Sequence, residues 1–141
     1  MDNSKETITV QITVNAPVKK AWESFTNPKH AVNWSFASDD WHAPEAENDL
    51  RTGGKFRTKM AAKDGSASFD FEGNYTNVEE HKTIEYVMAD GREVLVSFED
   101  LGESTKVTET FNPENTHSLE LQKDGWQAIL NNFKKYTETL K

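Results

Sequence analysis

Cysteine is absent from the 141-residue chain. Without thiols there is no disulfide framework, no Cys-ligated zinc or iron–sulfur centre and no thiol nucleophile, and the composition suits a reducing compartment. Proline (four) and glycine (seven) are sparse, well below the share that marks collagen-like or low-complexity chains. No apolar stretch reaches signal-peptide length, and none approaches the roughly 20 residues that span a bilayer. The expectation is therefore a cytoplasmic protein with no membrane span. Positive charge is also short: 16 Lys and Arg stand against 24 Asp and Glu, a formal net charge of −8. The basic residues are scattered, with the densest pair at Lys134 and Lys135. A phosphate backbone would be repelled, so nucleic acid is not an expected partner.

What the chain has is aromatic residues. Hydrophobic residues make up only 35%, yet they include 4 Trp, 3 Tyr and 8 Phe, and disordered chains are poor in all three. The length fits one ordinary domain, spanning residues 1–141, with a core weighted toward aromatics.

The pattern of apolar residues gives the elements. Ile8, Val10, Ile12 and Val14 alternate with polar residues, predicting a strand with one buried face. Asn15-Ala16-Pro17 stops it, and Val18, Ala21, Trp22 and Phe25 carry the spacing of a short amphipathic helix. Asn27-Pro28 is a second start signal, for a helix over Lys29–Trp34. Residues 35–44 read as a loop, followed by a weak strand over Glu45–Leu50. Turn signals at Gly53-Gly54, Asp64-Gly65, Asp90-Gly91 and Gly102 separate further alternating runs. The last segment, Ser118–Leu140, has a helical stripe of Trp126, Ile129, Leu130 and Phe133. The order is thus strand, two short helices, about six antiparallel strands and one long helix. That helix has to bury its stripe against the inner face of the sheet. The fold class is α+β: a curved antiparallel sheet wrapped around a C-terminal helix, with a cavity where the helix does not fill the curve.

That order resembles the helix-grip fold of the START and birch-pollen-allergen-like superfamily. The strings Asn15-Ala16-Pro17 with Trp22, Thr26-Asn27-Pro28-Lys29-His30, Asp49-Leu50-Arg51-Thr52-Gly53-Gly54-Lys55-Phe56, Glu72-Gly73-Asn74-Tyr75 and Gly125-Trp126 are similar to the branch named after the activator of the heat-shock-protein-90 ATPase. The likeness runs from about Thr9 to Thr139. Ser35 stands where many relatives carry a second Trp. The eukaryotic co-chaperone of that branch carries a further domain ahead of this one, for which the chain is expected to have no room. Fold does not fix function.

Three readings of function follow. The first is non-covalent binding of a small apolar or aromatic molecule between sheet and helix. The strand aromatics Phe56, Phe69, Phe71, Tyr75, Tyr86 and Phe98 would line its cavity, with Trp126, Leu130 and Phe133 from the helix and Phe36 and Trp41 from the loop. Asp39, Asp40 and His42 would form a polar rim. Most of these aromatics would serve equally as plain core. The second reading is a module that acts on a chaperone or another protein through its surface. The third is an enzyme using Asp39, Asp40 or His42, a carboxylate–imidazole combination suited to acid–base work or to a divalent metal, although Asp-Asp before an aromatic is also ordinary turn chemistry. No H-E-x-x-H, G-x-S-x-G, Walker loop or G-x-G-x-x-G occurs, so no catalytic residue, metal or cofactor is assigned. His30, His81 and His117 read as solvated. A monomer or weak homodimer is expected.

Overall fold

The computed structural model describes residues 6–140; the polar leader Met1–Lys5 lies outside them. The alternation that opens the chain forms β1 (Ile8–Val14), with Ile8, Val10 and Val14 buried. After it come α1 (Val18–Thr26) and α2 (Pro28–Ala31). Asn27 ends the first helix and caps the second, its side chain accepting from the Lys29 N–H at 2.9 Å with Pro28 opening the turn. Six strands follow: β2 (Trp41–Asn48), β3 (Lys55–Ala62), β4 (Ser68–Glu79), β5 (Thr83–Met88), β6 (Glu93–Asp100) and β7 (Thr105–Phe111). The last element is α3 (Leu119–Thr137), capped by the Ser118 hydroxyl on the Leu121 N–H at 3.0 Å.

The seven strands form one curled antiparallel sheet in the order β1-β7-β6-β5-β4-β3-β2. From β2 to β7 it is a simple meander. β1 lies at the far edge, so α1 and α2 carry the chain across the open face from one edge to the other. Register shifts between His42 and Glu45 in β2 and between Tyr75 and Asn77 in β4 mark irregular pairing, and such bulges bend strands. α3 packs chiefly on β1 and α1. It therefore covers one side of the sheet's concave face and leaves the β3–β5 side open.

The second helix is shorter than the expected Lys29–Trp34, and the strand expected from Glu45 begins instead at Trp41. β2 runs through Pro44. In a sequence proline signals a break, but β2 is an edge strand and the proline sits within its register shift, where no partner needs its missing N–H.

The two glycines of the Thr52-Gly53-Gly54 turn serve different ends. Gly53 adopts φ +91°, which other residues avoid. At Gly54 a Cβ would fall 2.1 Å from the Asp49 carbonyl oxygen and 3.1 Å from that of Arg51, both of them main-chain atoms. This turn also pairs with β4, through Gly53 N–H to Tyr75 O and Tyr75 N–H to Gly54 O, each 2.9 Å. Gly54→Ala is expected to destabilise the fold by about 3 kcal/mol, as overpacking of rigid surroundings does. A thermal unfolding midpoint equal to that of the parent would contradict the crowding argument.

Candidate functional site

The aromatic side chains divide into two groups. One is solid core. The Phe133 ring meets Phe25 at 5.3 Å and Trp34 at 5.1 Å between centroids, and Phe98 meets Trp22 at 5.1 Å and Phe25 at 5.5 Å. The Trp34 indole N–H donates to Ser24 O at 2.9 Å. Ser24 and Thr137 share a buried hydroxyl–hydroxyl bond of 2.7 Å that locks α1 to α3. The other group surrounds open space. Phe56 lies against Tyr86 at 4.7 Å and Tyr75 at 5.4 Å, and Phe71 reaches Trp126 at 6.0 Å. Trp126 stacks on Phe111 with centroids 3.7 Å apart and planes 12° from parallel.

Between this second group and the three helices is a cleft of about 320 Å³, which Phe25, Ala31 and Trp34 of the first group's side also border. Its walls include Phe56, Phe69, Phe71, Tyr75, Tyr86 and Trp126, with Met60, Met88, Ile84 and Ile129 between them. Gly73 makes this wall possible. It lies under the Phe56 and Tyr86 rings, and a Cβ there would stand 3.0 Å from each.

Several sequence-derived assignments change. Phe98, Leu130 and Phe133 are not on the cleft; they are buried in the first group, because α3 there packs on α1 and β1. Phe36 and Trp41 do not line it either. The Phe36 carbonyl accepts from Asn132 at 2.6 Å, and Trp41 packs on Phe69, itself 52% exposed, at 5.9 Å. The proposed rim is also elsewhere: Asp39 and Asp40 are exposed, and His42 is on edge strand β2 opposite Ala61. Asp40 accepts the Ser38 hydroxyl at 2.5 Å, as turn-forming aspartates do. The three histidines expected to be solvated each have a partner. His30 bonds the Tyr136 hydroxyl at 2.6 Å, His81 meets Trp22 edge-on at 5.9 Å, and His117 bonds Glu114 at 2.8 Å. No group of three or more His, Asp or Glu is arranged to hold a metal ion among the described residues. No helix among them is long and apolar enough to cross a membrane.

The cleft's polar groups were mostly not singled out from the sequence. At one end the Tyr75 hydroxyl donates to Asn48 at 2.6 Å, and Asn48 donates to Thr26 O at 2.7 Å, tying β4, β2 and α1 together. Burial raises the Tyr75 phenol well above its ordinary value. At the other end Gln122 holds the segment after β7, accepting from Glu114 N–H at 2.8 Å and donating to Glu114 O and His117 O. Arg92 is tied to Asp90 at 2.8 Å.

Glu109 is different. It is only 8% exposed and lines the cleft from β7. Burial pushes its carboxyl up to about 8, since an anion there has lost its water. The signal was present in the strand itself. Glu109 shares parity with buried Thr105, Val107 and Phe111, so a Thr-Lys-Val-Thr-Glu-Thr-Phe strand puts an acid on its inner face.

Comparison with known proteins agrees with this architecture. A solution structure of an AHSA1-like protein from Aeromonas hydrophila is 42% identical, with a TM-score of 0.89 over 95% of this chain and 93% of that one. A protein of Cytophaga hutchinsonii is 51% identical, with a TM-score of 0.81 over 94% and 92%. A crystal structure from Nitrosomonas europaea has the same fold at 17% identity, with a TM-score of 0.81 over 99% of this chain and 97% of that one. No curated protein matches the chain. The family model described as "Activator of Hsp90 ATPase homolog 1-like protein" matches residues 15–138, a span that takes in strands β2 to β7 and all three helices, and the chain belongs to that family.

Proposed function

We propose that this protein binds a small apolar or aromatic molecule, without covalent chemistry, in the cleft between the sheet and α3. The observation that carries the reading is unfilled space with aromatic walls. Cores normally pack to crystal density, yet about 320 Å³ stays open beside Phe56, Phe71, Tyr86 and Trp126. That volume is at the small end of ligand pockets, and its lining of apolar walls with a few polar groups is typical of them. In this reading the polar groups that meet the ligand are Glu109, Tyr86 and Arg92, and Asp39, Asp40 and His42 have no part in it. The rival reading, a surface that engages a chaperone or another protein, draws on exposed Leu119 and Leu121 at the start of α3. Lone exposed apolar residues are common, so they support it less.

A neutral, environment-sensitive naphthalene dye is expected to bind the native protein at one saturable site and to accept energy from Trp126. Ile129→Trp, which fills the cleft from α3, is expected to weaken that binding at least tenfold while the far-ultraviolet spectrum stays native. Binding that never saturates, or an unchanged dissociation constant in the variant, would move the surface reading ahead.

A further inference from the structure

Glu109 faces inward where the strand pattern calls for an apolar residue. Across the sheet it is opposite Val10 on one side and Val96 on the other, and Val107 and Phe111 flank it on its own strand. Among the described residues, no donor hydrogen-bonds its carboxyl. The Tyr86 hydroxyl, on a residue 6% exposed, likewise has no hydrogen-bond partner among them. The two groups lie near enough for the carboxylate's charge to act on the phenol, and both line the cleft. No sealed side-chain oxygen or nitrogen among the described residues lacks a partner, so the oxygens of both groups open onto the space of the cleft. Valine in its place would pack against the same neighbours, so the acid has no structural use in the sheet.

The other charged groups around the cleft are already engaged. From β2, Glu47 bonds Arg57 at 2.8 Å. Arg92, ahead of β6, is neutralised by Asp90. After β7, Glu114 accepts from His117 and from the Thr116 and His117 N–H groups. β1 contributes Val10 opposite Glu109, and α3 contributes Gln122, Trp126 and Ile129 to the wall, none of which titrates. The tyrosines of β4 and β5 are held neutral by burial. The charge left without a partner is therefore an acid. The faces of Phe56, Phe71, Tyr86 and Trp126 around the same space favour a cation further.

We infer that the cleft's ligand is a cationic amine or amidinium on an aromatic or apolar body, with its nitrogen seated on the Glu109 carboxylate and the Tyr86 hydroxyl. This rests on the cleft-binding reading above and adds the chemical class of its ligand. In the empty cleft Glu109 is largely protonated at neutral pH. Binding of an ammonium ion leaves the carboxylate paired with it and releases the carboxyl proton to solvent, so one proton leaves for each cation bound.

The test uses three probes with one body: naphthylmethylamine, naphthylmethanol and naphthoic acid, titrated calorimetrically into the full-length protein. At pH 8 the amine is expected to bind at least tenfold more tightly than the alcohol, and the acid more weakly than either. Between pH 6 and 8 the amine-to-alcohol ratio should rise about tenfold per pH unit, with up to about one proton released, read from buffers of different ionisation heat. Glu109→Gln should abolish the amine's advantage over the alcohol and the rise of their ratio with pH. The pH series on the unaltered protein keeps the test decisive if that variant folds poorly. Alcohol binding at the level of the amine, with a flat ratio, would overturn the cation anchor and leave the apolar cleft standing. Tightest binding by naphthoic acid would overturn it as well. If neither the alcohol nor the neutral dye binds, the cleft reading fails and takes the anchor with it.

Discussion

Phe133→Ala is expected to lower the unfolding free energy by about 3–5 kcal/mol, the range for emptying a large aromatic site in a rigid core. Phe133 is fully buried, and its ring is held edge-on by Phe25 and Trp34. Those neighbours come from α1 and the segment after α2, and both are fixed independently: Trp34 by its bond to Ser24 O, and α1 by the Ser24–Thr137 bond. Phe25 and Trp34 also border the cleft, so part of the vacated space can open into it and the loss falls inside that range, below its top. Trp126→Ala is the informative contrast. Trp126 belongs to the same helix stripe but is only partly buried on the cleft wall, so its loss should be clearly smaller, although the stacked Phe111 ring loses its cover. Urea denaturation with a common m-value checks both. Equal losses for the two residues would mean that the cleft wall is as tightly packed as the core.

The second large effect is on pH dependence. Glu109 has a carboxyl raised by burial from 4.5 to about 8 in the fold. Above about pH 4.5 the unfolded chain gives up this proton while the folded chain keeps it. The folded state then binds more protons, so stability falls as pH rises through the window up to about 8. The slope approaches about 1.4 kcal/mol per pH unit, for a ceiling of about 4–5 kcal/mol across the window. The carboxylates lowered by their partners act in the opposite sense and elsewhere. Glu114 with His117 and Glu138 with Lys134 lose their contributions on acidification, below the ordinary carboxylate range. Glu109→Gln should therefore flatten the fall between pH 5 and 8 and raise stability at pH 8, with little change near pH 4. A parallel decline in parent and variant would show that Glu109 is charged in the fold throughout that range.

Much of this protein could be read from local pattern. The alternation of Ile8, Val10 and Val14, the glycine turns between strands and the stripe of α3 are short-range features, set by side-chain period and by the few residues that tolerate a turn. They appear in the fold nearly as expected, and the strings resembling the family lie on them. The start of β2 has no such local signal, because a strand can run through Pro44 only where it has no neighbour on that side, which sequence spacing does not record. The fate of the aromatics lay further out of reach. Phe56, Phe98, Trp126 and Phe133 all carry inward parity, and parity says which face a side chain takes but not what stands opposite. That depends on where α3 rests. It lies toward β1 and α1, so Leu130 and Phe133 are sealed while Trp126 and Ile129 border open space. Glu109 lies between the two cases. Its sequence position placed an acid on the inner face of a strand, but only the tertiary packing gave that face an open cleft with no hydrogen-bond donor for it among the described residues, because the cleft's walls come from five strands and three helices that meet only when the sheet curls.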